Sequence, residues 1–482
     1  MKRLLAQYRS FDRPIRLLLL NQFTINLGFF MLIPYLAAHL SGDLGMAAGL
    51  VGLVLGLRNF SQQGMFLLGG SLADRFGYKP SILAGCLLRT GGFVLLGFSD
   101  SLPVLLVASV ATGFAGALFN PAVRAYVAAD AGPRRVEAFA VFNVFYQMGM
   151  MLGPLIGLAL TGFAFRWTCL TAAVIFAVLT VLQWRALPAR RAGDPGTEAV
   201  DERPSIRAGW RTVLGNGRFV AFALALAGAY VLSYQMYLVL PLELGRNAPT
   251  PLASTVEVGL LFTISGLMSL AGQLHITDWC RQHWTQGQCL TRGLALMGLA
   301  FVPPALAAVL GPTGGVAGNL VLVAALAVCT ALLSLGTIIS YPFQMDTIVA
   351  LARGRLVATH YGLYNTICGI GITLGNLAAG SALDLAHAAG LAVVPWLALG
   401  ALGGLCTVAI RHLDRAGRLQ PHEDPSTPAG AAPATAGGRA DATNRTHPPT
   451  PAPVRRQVSG TLDHPVEQTV PLPAVSRSDR PN

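Results

Sequence analysis

Long apolar runs alternate with short polar breaks along the first 410 residues. A helix needs about 20 apolar residues to cross a bilayer. Twelve stretches meet that length: residues 16–40, 47–70, 80–98, 102–126, 138–160, 168–184, 219–241, 256–276, 290–310, 319–341, 361–383 and 391–410. Lipid offers a backbone no hydrogen-bond partner, so such runs must satisfy themselves as helices. The pattern predicts an all-α polytopic membrane protein with twelve transmembrane helices. The breaks then set orientation. Alternate breaks carry Arg75 and Lys79; Arg124, Arg134 and Arg135; Arg185, Arg190, Arg191, Arg203, Arg207, Arg211 and Arg218; Arg281; Arg353 and Arg355; and Arg411, Arg415 and Arg418. The intervening breaks hold Arg166 and Arg246 and little else. The positive-inside rule therefore predicts both termini in the cytoplasm, and an even number of spans agrees.

The longest basic break, residues 185–218, contains Pro188, Pro195 and Pro204. It reads as a cytoplasmic central loop between a first bundle, 16–184, and a second, 219–411, with a short N-terminal segment, 1–15, ahead of both. The halves echo one another. Gly149, Gly153, Pro154 and Gly157 in the fifth span have counterparts in Gly371 and Gly375 in the eleventh. Pro34 in the first span is matched by Pro241 in the seventh, and Asp74 after the second weakly by Asp278 after the eighth. Two pseudo-symmetric six-helix bundles around a central cavity is a transporter plan. Beyond residue 411 Pro, Ala, Thr, Gly and Arg dominate. Segment 412–482 has too little apolar surface to order itself and is expected to be a disordered cytoplasmic tail.

Composition narrows the function classes. Of 482 residues 53% are hydrophobic and only 12% charged, and the net charge is +12. The bases cluster at the ends of apolar runs, so they read as topology signals and not as a nucleic-acid footprint. The seven cysteines are scattered without metal-ligand spacing and read as buried, inert thiols. The N-terminal apolar run is too long for a cleaved signal peptide and serves as the first span. The sequence holds no HExxH, no GxSxG with partners and no P-loop, which argues against a polytopic membrane enzyme and an ATP-driven pump. The expected partners are a small-molecule substrate, protons and the bilayer, with no cofactor, no metal and a monomeric state.

One break stands apart. Gly70, Leu72, Asp74, Arg75, Gly77 and Lys79 pack charge and glycine into a short turn between two apolar runs. This turn resembles the G-x-L-x-D-R-x-G-R-K loop of the major facilitator superfamily, with Tyr78 standing where that family usually has a base. Residues 149–157 resemble the G-x3-G-P-x2-G helix-five motif of its twelve-helix drug–proton antiporters. Leu27, Gly28 and Pro34 resemble the helix-one motif. Residues 55–64 and 116–121 are similar to the MdtH-like multidrug-resistance branch. The resemblance covers residues 27–384 and leaves out the tail. It implies an inner-membrane efflux transporter driven by the proton gradient. It further implies that Asp74 faces the start of helix eleven, near His360 and Tyr361. On that contact Asp74, Gly77 and Lys79 are expected to form a conformational latch; the bland alternative is a solvated turn that only sets topology. The glycine stripe reads either as a moving seal or as static close packing, since both need small residues.

Arg58 and Arg89 fall near the middle of their spans, where an ionisable group is a functional hypothesis by default. Gln62 lies one turn from Arg58, with Asn59 and Gln63 nearby. Two readings stand: arginines that bind anionic groups on substrates, or structural arginines tied to glutamines and carbonyls. Proton coupling needs a titratable group. The first span offers Asn21, Gln22, Thr24 and Asn26 in place of a carboxylate, which leaves Asp346, Glu257 and His275 as candidates beside Asp74. Asn21, Asn26, Tyr230, Tyr234, Gln235, Tyr237 and Phe343 are candidates for lining the cavity. The three tyrosines share a helix face at i, i+4 and i+7, which suits lipophilic or aromatic compounds or, equally, plain packing. A substrate-specific importer or exporter of the same fold remains the alternative to a drug exporter.

Overall fold

A computed structural model describes residues 2–46, 48–161, 165–188, 205–247, 249–310 and 316–419. The regular structure among them is helical: α1 (Lys2–Ser10), α2 (Arg13–Ala38), α3 (Ala48–Gly64), α4 (Phe66–Phe76), α5 (Tyr78–Phe98), α6 (Leu102–Ala131), α7 (Arg135–Thr161), α8 (Phe165–Ala186), α9 (Ile206–Gly215), α10 (Gly217–Tyr234), α11 (Val239–Asn247), α12 (Pro251–His283), α13 (Gln286–Leu299), α14 (Val302–Leu310), α15 (Val316–Ala352), α16 (Val357–Ala388) and α17 (Val394–Arg415). Ten stretches are individually long and apolar enough to cross a membrane. One of them, Leu102–Gly157, spans 56 residues and takes in α6 and most of α7. The pair α3–α4, too short helix by helix, makes one further crossing. The described chain thus accommodates twelve crossings.

Three crossings are broken, each for a local reason. The second bends at Met65, directly after Gly64, a residue that weakens helices. The seventh passes through a 3-10 turn, Gln235–Tyr237, between α10 and α11. The ninth parts after Leu299, ahead of Pro303 and Pro304, whose missing N–H groups cannot continue the ladder.

Glycines set how closely the helices approach. A Cβ on Gly149 would collide with the Phe23 carbonyl of α2, and one on Gly153 would sit 2.8 Å from Phe30 Cβ. In the second half a Cβ on Gly375 would strike Val231 of α10, and one on Gly371 would lie 3.5 Å from Ala227 Cβ. The stripes in α7 and α16 therefore do the same job twice, each seating the first helix of its own half. The side chain of Pro34 lies outside the described residues.

Two short helices extend the bundles at one face, where the described chain also begins and ends; we call it the basic face. Leu4 of α1 and Phe11 just after it are buried, and Tyr8 stacks on Phe145 of α7 at 5.5 Å. In the central loop, Ser205 caps α9 by accepting from the Ala208 N–H. Residues 189–204 and the expected tail beyond 419 lie outside the described residues. At its start the expected tail differs from the structure: α17 runs to Arg415, and Leu413 and Leu419 are buried. These leucines continue the apolar face past the charged Arg411, so the ordered chain reaches at least Leu419.

Gly149→Ala and Gly375→Ala are each expected to cost about 1–3 kcal/mol through overpacking, read as a lowered thermal midpoint of the purified protein in nanodiscs. Gly56→Ala, with nothing within 4 Å of the added carbon, should leave that midpoint in place.

Candidate functional site

The first turn of any helix leaves backbone N–H groups without partners. At α16 the residue in the capping position is Leu356, held at a left-handed φ of 49°, and its side chain cannot accept a hydrogen bond. The acceptor arrives from the other half of the molecule. Asp74, in the last turn of α4, accepts from Ala358 N at 3.1 Å, from Thr359 N at 2.7 Å and from Thr359 Oγ1 at 2.6 Å. An anion at a helix N-terminus is also favoured by the macrodipole, by up to about 2 kcal/mol when partly buried. Asp74 is thus an N-cap supplied in trans.

Two adjacent glycines allow it. Gly69 packs on its own half, where a Cβ would enter the Ala117 carbonyl of α6. Gly70 packs across the interface, where a Cβ would enter the Ala358 carbonyl of α16. Above them Gly362 meets the Phe66 carbonyl, Leu67 N donates to Thr366 Oγ1 at 3.2 Å, and Gly369 closes on Gln63. From Ala358 to Gly369, α16 lies against α4 and the end of α3. The loop helix α9 joins the cluster, with Trp210 Nε1 donating to Ser71 Oγ at 2.7 Å.

Further links between halves run along α7. Asn143 donates to Gln273 of α12 at 2.7 Å and Gln147 to Ser269 at 3.2 Å. Arg135 pairs with Asp346 of α15 at 2.8 Å, although the Nε–H direction misses hydrogen-bond alignment. Gln286 donates to the other Asp346 oxygen at 3.3 Å. Glu137 is paired with Arg134 beside it and with Arg281 of α12. The helix α1 straddles the same seam. Arg3 and Gln7 reach Asp278 of α12, while Ser10 and Phe11 hold Arg134. In the interior, Arg124 Nη1 donates to Asn365 of α16 at 2.9 Å, with Tyr146, Tyr230, Tyr341 and Tyr361 around it.

Residues 18–376 match the family model of the Major Facilitator Superfamily. The chain belongs to the major facilitator superfamily. It is 49% identical over 409 residues to an uncharacterized MFS-type transporter of Mycobacterium tuberculosis H37Rv, covering 85% of this chain and 95% of that protein. It is 31% identical over 387 residues to the multidrug resistance protein MdtH of Escherichia coli O1:K1, covering 80% and 90%. Among solved structures, the human organic anion transporter MFSD10 (TETRAN) shares the fold with a TM-score of 0.58 at 18% identity, over 83% of this chain and 99% of that one.

Within this superfamily fold the expected site residues take distinct places. Of the turn, Gly70 and Asp74 contact the second half. Lys79 does not: its Nζ donates to the Trp184 and Leu187 carbonyls at 2.8 and 2.6 Å, at the C-terminal end of α8 in its own half, where a cation suits the macrodipole. Leu72 and Arg75 lie on α4, and Gly77, at φ 100°, forms the corner into α5. Pro154 and Gly157 continue the α7 stripe. Arg58 binds Asn59 and Gln62, at 2.8 and 3.1 Å, and Arg89 reaches the Thr112 carbonyl at 3.5 Å. Gln63 packs on Gly369. Glu257 accepts from Asn319 at 2.6 Å within the second half, and His275 lies on the exposed side of α12.

The tyrosines do not share one straight helical face, because α10 ends at Tyr234 and Tyr237 lies in the 3-10 turn. Tyr237 OH nevertheless reaches Met150 Sδ of α7 at 3.2 Å, and Tyr230 packs on Tyr364 at 5.9 Å. Gln235 is fully buried toward α16, donating to the Val231 carbonyl and Asn376. Asn26 packs at the Gly149 contact, Phe343 is buried in α15, and Asn21 is buried with neither amide atom bonded. Sequence reasoning took Arg124 for a loop charge and gave α1 and α9 no role. Their apolar spacings, Leu4–Tyr8–Phe11 and Ile206–Trp210–Val213, were the available signals.

Gly70→Ala should force α4 and α16 apart. Spin labels on Phe76→Cys and Arg353→Cys, both exposed positions, are expected to report a longer distance in that variant. Gly69→Ala should instead lower thermal stability and leave the distance unchanged; equal behaviour of the two variants would contradict the assignment of one glycine to each half.

Proposed function

We propose that this chain is a secondary active exporter of the bacterial inner membrane, moving drug-like or amphipathic small molecules by proton antiport through alternating access. Superfamily membership makes it a transporter. The observation that carries the mechanistic reading is the trans cap: Asp74 and α16 come from different halves, so the cap exists only while the halves meet at the basic face. We take that face as cytoplasmic, from the distribution of arginines. In this reading Gly70 and Asp74 form a latch that holds the cytoplasmic side closed, and the α7 pairs reinforce it. The multidrug designation of MdtH, at 31% identity, supports the drug-like substrate class.

Proton coupling is assigned to Asp346. Its carboxylate faces Arg135 across the interface. Protonating it removes the charge that Arg135 pairs with, so a proton arriving there weakens the closed face. Glu257 is bound within one half, and His275 lies exposed on α12.

Asp74→Asn keeps an acceptor but loses the charge at the helix end, which should weaken closure by about 1–2 kcal/mol, a five- to thirty-fold population shift. Distances between the labels described above measure it, and an unchanged distribution would sink the latch. In everted vesicles, uptake of rhodamine B or carboxyfluorescein should collapse on adding an uncoupler. Asp346→Asn should abolish the stimulation by a pH gradient. Uptake that persists without the gradient contradicts antiport.

A further inference from the structure

Arg58 and Arg89 are 4% and 5% exposed, near the middle of their crossings. A guanidinium keeps its charge in proteins and presents five N–H donors. Buried charges are otherwise paired, because an uncompensated ion in a low-dielectric interior is costly. Here the contacts of both side chains are neutral. Arg58 donates to the amide oxygens of Asn59 and Gln62, and its Nε–H is buried without a partner. Among the described residues Arg89 makes one long bond, to the Thr112 carbonyl. Neither forms an ion pair among the described residues.

The two guanidiniums converge on one place. Arg58 Cζ lies 4.4 Å from the Phe29 ring centroid and Arg89 Cζ 5.4 Å from the same ring. Gln62 joins them: a Cβ on Gly116 would lie 2.8 Å from Arg89 Nη2 and 3.1 Å from Gln62 Cδ. Each arginine therefore raises the energy of the other. Ring faces and amides relieve part of this, but none supplies negative charge. Arg58 also lies near Tyr234 of the opposite half, so the group stands toward the seam between the bundles, at the depth where transporters of this plan bind substrate.

We infer that Arg58 and Arg89, with Gln62 and Phe29, form a binding site for an anionic group. That group is a carboxylate or similar anion, carried on the substrate or supplied free as an inorganic ion. Bidentate hydrogen bonding to an oxyanion uses guanidinium donors that the protein leaves idle, and Phe29 offers a flat apolar surface beside it. The same pair repels cations. The inference rests on the transporter reading and assigns it a substrate charge.

The test uses full-length protein in nanodiscs and a matched pair of probes, 2-naphthoate and 2-naphthylmethylammonium, with chloride titrated against gluconate. Calorimetry should show naphthoate binding more tightly than the ammonium probe. Arg58→Gln and Arg89→Gln should each raise the naphthoate Kd by about tenfold or more, and Arg58→Lys should raise it less. Chloride that competes with naphthoate identifies a free anion as an occupant; failure to compete identifies a group on the substrate. Equal affinity for the two probes, no binding of either anion, or an unchanged naphthoate Kd in both glutamine variants would overturn the site. The wild-type comparison of probes decides even if a variant fails to fold. Gradient-driven dye uptake by everted vesicles carrying the same protein keeps the questions separate: if it survives without anion binding, the site falls and the exporter stands.

Discussion

The basic face is organised by one unmet need, the bare N-terminus of α16. A helix that begins at Leu356 has no side chain of its own to receive its first N–H groups. Asp74 meets that need from the other bundle, and everything near it follows from the distance this requires. A carboxylate has a short reach, so the α4 backbone must touch the α16 backbone. That contact excludes a Cβ at Gly70 and at Gly362. The bend at Met65 frees α4 to turn toward α16, and Gly69 keeps its other side against α6. The cap is strong because the donors are backbone groups that no other described side chain satisfies, and reversible because water can replace the carboxylate when the halves part.

The same seam shows where pseudo-symmetry stops. Glycine stripes on α7 and α16 seat α2 and α10 alike, so the two bundles share their internal packing. Across the interface the halves differ. Aligning Asp278 with Asp74 puts Leu274 where Gly70 stands, and a buried leucine there forbids a backbone contact. The α7–α12 seam is accordingly built from longer side chains, Asn143 with Gln273 and Gln147 with Ser269. Asp278, left without a helix terminus to cap, is taken by Arg3 and Gln7 of α1. One side of the gate is thus a rigid backbone contact, and the other a set of side-chain bonds clasped by the N-terminal helix.

Much of this was legible in the sequence. Run length alone placed the crossings, because lipid permits few ways to satisfy a backbone. The glycine echo was visible as spacing, and the partner of Asp74 came from the resemblance to a known loop, not from the residues. What stayed hidden were pairings set by three-dimensional meeting. Arg124 sits near the end of an apolar run, where charge normally reports topology, yet α6 continues to Ala131 and carries it inward to Asn365. Lys79 looked like a member of the gate, but the C-terminal carbonyls of α8 are nearer. The helices α1 and α9 are too short to register against spans of twenty residues, although each has its apolar residues on one face.

Charge accounting separates the two kinds of arginine. Arg124, Arg135 and Arg281 meet amides or carboxylates of the opposite half, and closing or opening the seam makes or breaks those contacts. Arg58 and Arg89 belong to one bundle, and their hydrogen bonds to Asn59, Gln62 and Thr112 stay within it, so movement of the halves does not discharge them. A purely structural role would be served by one guanidinium bridging helices; two around a single phenyl ring work against each other. The fold retains both at a depth where every unpaired charge is costly, and a negative group that visits that depth is the simplest compensation the geometry admits.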